Sequence, residues 1–382
     1  MPWSVQSMLN VLRIIMKIKV LHILNNPSIG GIETFVYYLT KVQQNNPQLD
    51  ISLLFSRPDG NLKEMFIATG VKCFFLNIKP FDLDINKYAA FKKISLDFDI
   101  LHFHTFLPIR DLLASRSGSK RIFTQHSVDG IGRVTKKTDF LKRMMLRNFL
   151  NTKVDYVTYN SHYTKQFWKE RGISNEHNQV VYNGVTFAAD TAPKNSAEPI
   201  LPVNKNHFVI GTSSRFIPWK RVDLLIRSFA LFQAGKEDVT LLLVGDGTEM
   251  DNLKKLVKEL HIENKVTFTG YTTNVTHYQS LMDVCVFPST TEAFGLVAIE
   301  CLYLGKPVLV FKDGGGITEL IEKIEPENVV SDVNALAGAF DNYYQNRDLL
   351  SDEHKKKRRA FAEQFNMEIT AEHFFNIYKE IL

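Results

Sequence analysis

Short apolar runs of strand length alternate with helical segments along nearly the whole chain. The first run, Lys19 to Asn25, is followed by the turn 27–31, with its adjacent glycines, and then by a helical stretch that begins near Glu33. A strand, a glycine turn and a helix in this order open a βαβ unit. Repeated βαβ units build a parallel sheet covered by helices. The alternation therefore predicts an α/β protein with parallel sheets.

The alternation is interrupted once, near the middle of the chain. Residues 188–206 are rich in Pro, Ala, Asn and charged side chains, which is typical of a linker. A length of 382 residues also suits two domains. We predict an N-terminal extension (1–16) whose status the sequence leaves open, a first domain (17–187), a linker (188–206), a second domain (207–363) and a C-terminal helix (364–382) that packs back on the first domain.

Composition excludes several classes of protein. The three cysteines lack the spacing of a metal site and are too few for a disulfide framework, which favours a reducing compartment. The apolar stretch within residues 1–16 is shorter than the roughly 20 residues that span a bilayer, and it has no evident cleavage site. The net charge of +5 comes without a basic tail, so we expect no nucleic-acid partner. We predict a cytoplasmic protein or one bound peripherally at the inner face of the cell membrane.

The segment from Val284 to Val310 carries the strongest chemical signal. It reads as a strand, a polar loop containing Glu292, a glycine at Gly295 and a helix that contains Glu300. A helix N-terminus offers free N–H groups and partial positive charge, which suits a diphosphate. The alternative is an ordinary capped helix with solvated glutamates. Glu300 argues against it, because its neighbours are apolar and an unpartnered buried charge is unfavourable.

Two cations follow the first strand of the second domain. Arg215 and Lys220 lie where that strand gives way to a helix. An Arg fork and a Lys point charge commonly bind phosphates. Taken alone, such a pair is more often an ordinary pair of surface charges.

Histidines end two neighbouring strands of the first domain. His102 and His104 alternate with apolar residues and so share one face of a strand. His104 and His126 lie at carboxyl ends, where open α/β sheets bind ligands. A structural role is the alternative for each of them.

Together these segments resemble glycosyltransferase family 4, whose fold is called GT-B. Glu292 and Glu300 match its E-x7-E motif, and the resemblance runs from Lys19 to about Glu363. It implies two Rossmann-like domains facing a central cleft and a retaining, metal-independent transferase that uses a nucleotide-sugar co-substrate and no cofactor. It assigns catalytic roles to Glu292 and His126, and donor contacts to Gly31, Arg215, Lys220, Gly270, Phe294, Gly295, Leu296 and Glu300. We add His104 and Asn183 as weaker cleft or acceptor residues.

The chain departs from the family pattern around Asn183. Tyr182 stands where the family usually has Pro, and Thr186 where it usually has Asp, which puts the acceptor contacts of this segment in doubt. Two D-x-D matches, at 82–84 and 97–99, are interpreted as chance matches without a metal. The absence of G-x-G-x-x-G argues against a dehydrogenase.

Three expectations concern partners and rival functions. The predicted reaction transfers a sugar to the hydroxyl of a carbohydrate or lipid-linked acceptor, in the biosynthesis of a cell-surface polysaccharide or glycolipid. A nucleotide-sugar epimerase and a non-catalytic nucleotide-sugar-binding subunit are the alternatives. Residues 135–150 are basic and apolar together, which predicts either contact with an anionic membrane surface or an ordinary amphipathic helix.

Overall fold

The structure is a computed structural model that describes residues 17–28, 30–79, 82, 84–114, 118–128, 137–187, 204 and 206–382. Two compact units divide the chain. The first contains the described residues up to Gly184 together with Met367–Leu382, and the second those between Val185 and Asn366. The predicted extension and most of the predicted linker lie outside the described residues.

Strands and helices alternate through both units. The strands are β1 (Ile18–Leu24), β2 (Leu49–Phe55), β3 (Lys72–Phe75), β4 (Ile100–Phe103), β5 (Lys120–Gln125), β6 (Tyr156–Tyr159), β7 (Asn178–Val180), β8 (Phe208–Ser213), β9 (Val239–Val244), β10 (Val266–Gly270), β11 (Val284–Phe287), β12 (Val308–Phe311) and β13 (Val329–Val330). The helices are α1 (Gly31–Gln43), α2 (Lys63–Ile67), α3 (Ile85–Ser95), α4 (Pro108–Ala114), α5 (Lys137–Thr152), α6 (His162–Lys169), α7 (Val222–Phe232), α8 (Met250–Glu259), α9 (Val275–Leu281), α10 (Leu296–Tyr303), α11 (Gly316–Ile324), α12 (Val333–Gln345), α13 (Asp352–Glu363) and α14 (Met367–Ile381).

Each unit is built on its own parallel sheet. The first sheet has the order β3-β2-β1-β4-β5-β6-β7, and the second has β10-β9-β8-β11-β12-β13. Every strand pair in these two sheets is parallel. This confirms the predicted parallel α/β architecture. The order reverses beside β1 in the first sheet and beside β8 in the second, and open sheets of this kind bind ligands at the carboxyl ends of such strands.

Both faces of the first sheet are covered, as β1 illustrates. Leu21 and Ile23 enter one apolar cluster, while Val20 and Leu24 enter another. Alternate side chains of a strand point to opposite faces, so a strand buried on both sides reads as a continuous apolar run. This is why the sequence of β1 is apolar throughout most of its length.

Helix α14 belongs to the first unit although it ends the chain. Its Phe374 and Tyr378 are fully buried in the cluster that contains Phe35 of α1. The chain changes unit after Gly184 and again after Asn366. Each of these points lies three residues from the corresponding predicted boundary, at 187 and at 363. Among the described residues, no helix is both long and apolar enough to cross a bilayer.

Candidate active site

Three of the predicted donor-site residues and the predicted catalytic Glu292 lie in the two segments that follow β8 and β11. These two strands are neighbours in the second sheet. The segment after β8 contacts the segment after β11 directly, because the Trp219 carbonyl accepts a hydrogen bond of 3.0 Å from the Thr290 N–H. The ammonium of Lys220 also forms an ion pair with the Glu292 carboxylate. Arg215 and Gly295 belong to the same two segments.

Gly295 fixes the start of helix α10. Its φ of 105° lies in the left-handed region, and an added Cβ would lie 2.7 Å from the Ile317 side chain. Only glycine fits both conditions. The N-cap residue, Gly295, provides no side-chain cap for α10, so it does not neutralise the positive end of the helix dipole. The predicted anion site therefore lies at an uncapped helix N-terminus.

The backbone around Glu292 is held by the turn that follows β12. The Glu292 N–H donates to the Gly314 carbonyl at 2.8 Å, and the Glu292 carbonyl accepts from the Gly316 N–H at 2.7 Å. An added Cβ at Gly316 would lie 2.2 Å from the Ala293 carbonyl oxygen, so this close approach requires glycine. This turn was not predicted from the sequence. Its signal was three consecutive glycines that begin three positions after the end of β12.

Arg221 connects the same two loops and was also missed. Its guanidinium donates to the Pro288 carbonyl at 2.7 Å and to the Asp313 carboxylate at 2.8 Å. Its backbone is left-handed, with a φ of 47°, which is unusual for a residue with a Cβ. The contacts of its side chain therefore hold a strained backbone next to Lys220.

Arg215 differs from its two cationic neighbours. Its side chain is exposed, and within the described part of the chain it forms no ion pair. Lys220 is paired with Glu292 and Arg221 with Asp313. Arg215 is therefore the member of this group whose charge remains available to an anion.

Glu300 is desolvated by its surroundings. The carboxyl lies on α10, and burial raises its pKa to about 7, while a hydrogen bond with Gln279 lowers the pKa in part. Gln279 is itself fixed, since its amide donates to the Ser213 hydroxyl at 2.9 Å. Sequence spacing gave no indication of Gln279, which lies on another helix. The carboxyl is therefore near the midpoint of its titration at neutral pH.

We expect Glu300→Gln to stabilise the ligand-free protein at high pH. Because the folded state holds the Glu300 proton up to about pH 7 and the unfolded chain loses it near pH 4, stability falls across this window as pH rises. An amide avoids this loss, so the free energy of unfolding at pH 8 should rise by about 1–3 kcal/mol. Urea unfolding at pH 8 measures this gain. The gain should shrink at pH 5, and it should be absent in the exposed control Glu237→Gln.

The remaining donor-site predictions have backbone or packing roles. Gly270 ends β10 with a φ of 71°, and its carbonyl accepts from the Gly245 N–H at 3.1 Å. The ring of Phe294 is buried and packs edge-on against Phe365. Leu296 is the first residue of α10. Any contact of Phe294 with a ligand must therefore be made by its backbone.

The predicted histidines of the first unit lie together at the carboxyl ends of β4 and β5. His104 Nδ1 lies 2.9 Å from His126 Nε2, and both rings are buried. Burial lowers the pKa of His126 to about 3 and holds the pKa of His104 well below its usual value. Both imidazoles are therefore neutral at physiological pH. The Nδ1 atom of His126 has no hydrogen-bond partner among the described residues.

Further polar atoms at this edge also have no partner among the residues described. They belong to Asn25, Thr105, Gln125, Asn160 and Asn183, and each follows or ends a strand of the first sheet. Buried polar atoms are normally satisfied by protein, water or ligand. This edge of the first unit is therefore suited to a polar ligand.

Gly31 and the D-x-D matches complete the predicted set. Gly31 is the first residue of α1, and an added Cβ would meet nothing within 4 Å. Asp82 forms an ion pair with Lys87, and Asp84 caps helix α3. The Asp99 carboxylate accepts from the Lys19 N–H at 2.8 Å. These three carboxylates therefore have structural contacts.

Comparison with known proteins identifies the class. Residues 29–188 match the family described as Glycosyltransferase Family 4, and residues 194–364 match Glycosyl transferases group 1. N-acetyl-alpha-D-glucosaminyl L-malate synthase of Bacillus anthracis is 29% identical over 315 residues, which cover 79% of this chain and 80% of that protein. The Campylobacter jejuni enzyme N-acetylgalactosamine-N,N'-diacetylbacillosaminyl-diphospho-undecaprenol 4-alpha-N-acetylgalactosaminyltransferase is 25% identical over 249 residues, 64% of this chain and 65% of that protein.

Solved structures show the same fold. HepE from Anabaena, in complex with UDP, superimposes with a TM-score of 0.78 at 20% sequence identity, covering 95% of this chain and 100% of that chain. The two parallel-sheet units and this similarity show the GT-B fold. With both family matches together spanning most of its length, the chain belongs to glycosyltransferase family 4.

Proposed function

We propose that this glycosyltransferase transfers a sugar from a nucleoside diphosphate donor to an acceptor hydroxyl with retention of configuration and without a metal ion. The observation that carries the proposal is the cluster at the carboxyl ends of β8 and β11: the uncapped tip of α10 at Gly295, the exposed Arg215 and the Lys220–Glu292 ion pair. These groups supply positive charge where a departing diphosphate needs it. They take the part that a divalent cation plays in other transferases.

The donor would lie along this cluster. Its diphosphate would lie at the tip of α10, with Arg215 and Lys220 neutralising its charge. Glu300, just over one turn into the helix, would bind the ribose hydroxyls in its ionised form. Glu292 would face the sugar. The resemblance of Glu292 and Glu300 to the E-x7-E motif supports this orientation.

In the proposed reaction, the acceptor oxygen forms a bond to the anomeric carbon while the bond from that carbon to the phosphate oxygen breaks. The acceptor proton passes to the departing phosphate, so the atoms balance without a further base. The leaving group departs from the face that the acceptor attacks, which retains the configuration. Glu292 stabilises the positive charge that develops on the sugar, and His126 contacts a substrate hydroxyl.

The Lys220–Glu292 pair connects binding to reaction. In the ligand-free protein the two charges neutralise each other. A bound diphosphate offers Lys220 a second anion and frees the carboxylate to turn toward the sugar. Donor binding would therefore prepare the catalytic group.

A donor panel tests the proposal. Purified protein would be heated with UDP, GDP and ADP, and then with UDP-N-acetylglucosamine, UDP-N-acetylgalactosamine, UDP-glucose and GDP-mannose, both with EDTA and with Mg²⁺. We expect one nucleotide to raise the melting temperature equally under both conditions. With a carbohydrate or lipid-linked acceptor added, the matching α-linked nucleotide sugar should give an α-linked product by NMR. A β-linked product would refute retention, loss of activity with EDTA would refute metal independence, and release of an epimerised free sugar would favour the epimerase.

Lipid-linked or surface-polysaccharide acceptors are the acceptors we propose, in agreement with the lipid-linked substrate in the name of the Campylobacter relative. Acceptors of this kind would place the protein at the cytoplasmic face of the membrane, and helix α5 supports contact with a membrane. Its Phe140 is 75% exposed, and Leu141 and Met144 are 44% and 46% exposed. Lys142 and Arg147 are exposed on the same helix. Residues 135 and 136 of the predicted segment lie outside the described residues.

We expect the protein to float with vesicles that contain anionic lipid and not with neutral vesicles. Apolar side chains that enter the interface and cations that face anionic headgroups act together in such helices. Phe140→Ser combined with Met144→Ser should abolish flotation, and Lys142→Gln should weaken it. Ile85→Ser, which changes an exposed apolar residue on α3, is the control. Equal retention of the double variant and the native protein would contradict membrane contact through α5.

A further inference from the structure

A chain of hydrogen bonds crosses the core of the first unit and ends at His126. His22 Nε2 lies 2.8 Å from Gln43 Oε1 on α1, and His22 Nδ1 lies 2.9 Å from His104 Nε2. His104 Nδ1 lies 2.9 Å from His126 Nε2. His22 lies in β1, and His104 and His126 directly follow β4 and β5. This chain of hydrogen bonds therefore leads from helix α1 to the edge of the sheet where β4 and β5 end.

The three rings are neutral, so the chain has a direction. Burial lowers the pKa of His22 to about 4 and of His126 to about 3, and it holds the pKa of His104 well below its usual value. A neutral imidazole has one donor and one acceptor nitrogen. Because the Gln43 oxygen accepts, His22 Nε2 carries its proton, and each following ring must donate through Nε2 and accept through Nδ1. At the end of the chain, His126 Nδ1 is left with an unprotonated lone pair.

At the other end of this hydrogen-bonded chain, the amide of Gln43 is itself held in place. Its Nε2 group donates to the Tyr378 hydroxyl at 3.3 Å. That hydroxyl lies 2.8 Å from His102 Nδ1, and His102 Nε2 lies 2.7 Å from the Thr124 hydroxyl. Tyr378, which α14 contributes, is fully buried. The last helix of the chain therefore helps to orient the amide that sets the direction.

A metal site is the competing interpretation of the same residues. His22, His102 and His104 place ring nitrogens within 4.8 Å of one another. Both nitrogens of each of these rings already have hydrogen-bond partners. An ion would have to break these bonds in a fully buried core. The hydrogen-bonded chain therefore accounts for the cluster better than a metal does.

His126 differs from these three rings in its surroundings. Its Nδ1 is buried and has no partner within the part of the chain described, while the residue as a whole is 8% exposed. The ring packs against the ring of Phe35, with 5.1 Å between the two centroids. The backbone carbonyl of His126 accepts a hydrogen bond of 3.1 Å from the Asn160 side-chain amide. The ring is therefore held from several sides, with one acceptor atom left over.

We propose that Gln43, His22 and His104 are positioning residues that hold His126 as its Nε2–H tautomer, with Nδ1 ready to accept a hydrogen bond from a substrate hydroxyl. The role of the hydroxyl rests on the proposed function, whereas the tautomer does not. A protonated Nδ1 would present a donor to that hydroxyl and could no longer accept a hydrogen bond from it. The buried amide of Gln43 therefore determines that His126 Nδ1, three hydrogen bonds away, is unprotonated.

The first test uses the full chain with ¹⁵N-labelled histidine and needs no activity. Long-range ¹H–¹⁵N NMR distinguishes the two neutral tautomers by the shifts of the ring nitrogens. We expect His126, assigned through His126→Gln, to have a protonated Nε2 and an unprotonated Nδ1 at pH 7. A protonated Nδ1, or an equal mixture of tautomers, would overturn the proposal.

Variants at position 43 form the second test. Gln43→Met keeps the length but offers no acceptor, so the two tautomers of His126 should mix. Gln43→Glu keeps an acceptor and should restore the native tautomer. In transfer assays we expect Gln43→Met to lower kcat about tenfold, the equivalent of one hydrogen bond, with the donor KM unchanged and with recovery in Gln43→Glu. If His126 kept a single tautomer in folded Gln43→Met, the proposed positioning role of Gln43 would be refuted. Absence of any transfer by the native protein would refute the proposed function and leave the NMR result standing.

Discussion

Replacing Glu292 by Gln should lower kcat about 100- to 1,000-fold while donor binding is retained. The amide keeps the size and a hydrogen bond but loses the negative charge that we expect to stabilise the developing charge on the sugar. The variant also removes the ion-pair partner of Lys220. The diphosphate then no longer competes with a carboxylate for Lys220, so the affinity for the nucleoside diphosphate should be equal to the native value or higher. Steady-state kinetics and calorimetry would measure the two effects separately.

Glu322→Gln is the matched control for this variant. Glu322 is an exposed glutamate on α11 of the same unit, so the same charge change there should leave kcat within about twofold, as for most surface substitutions. Native kcat in Glu292→Gln would remove the catalytic role that we assign to this residue. Weaker binding of the nucleotide would contradict the competition between Glu292 and the diphosphate.

Replacing Arg215 by Ala should weaken binding of the nucleoside diphosphate about 10- to 100-fold. A hydrogen bond to a charged group contributes about 1.5–3 kcal/mol, and Arg215 has no protein anion, within the described residues, to give up in exchange. Folding stability should hardly change, because the side chain is exposed. Isothermal titration with the nucleotide selected by the donor panel, combined with thermal unfolding, would separate the two quantities.

Arg227→Ala provides the control for Arg215. Arg227 is exposed on α7 in the same unit, so its removal changes the net charge equally without touching the proposed diphosphate site. Similar losses of affinity in both variants would mean that the protein attracts nucleotides through its overall charge. A native affinity in Arg215→Ala would place the diphosphate elsewhere.

Local patterns were sufficient to predict much of the fold. The apolar run of β1 and the glycine turn before α1 predicted a parallel sheet, because these signals lie within a few residues of one another. The start of α10 at Leu296 was predicted in the same way, from Gly295 between a strand and an apolar helix. Arg215, Lys220 and Glu292 were predicted to serve one ligand, and the structure brings Lys220 and Glu292 into contact.

Contacts between distant parts of the chain could not be predicted in this way. Gln43 and Tyr378 are 335 positions apart, yet they share a hydrogen bond. His22 reads as one residue within an apolar strand, and only the register of β1 beside β4 places it opposite His102. Similarly, the pairing of Arg221 with Asp313 depends on two loops that meet after different strands. Periodicity reports which face a residue occupies, but not which residue faces it.

The salt link between Lys220 and Glu292 has a consequence for selectivity inside a cell. Inorganic phosphate and other small anions are abundant there, and a bare lysine would hold them readily. Here any such ion must first displace the Glu292 carboxylate from the Lys220 ammonium. A small anion makes few other contacts that would compensate for breaking this ion pair. A nucleotide sugar brings its base, ribose and sugar as well. We therefore expect phosphate to be a weak competitor of the donor, and a stronger one once the tethered carboxylate is removed.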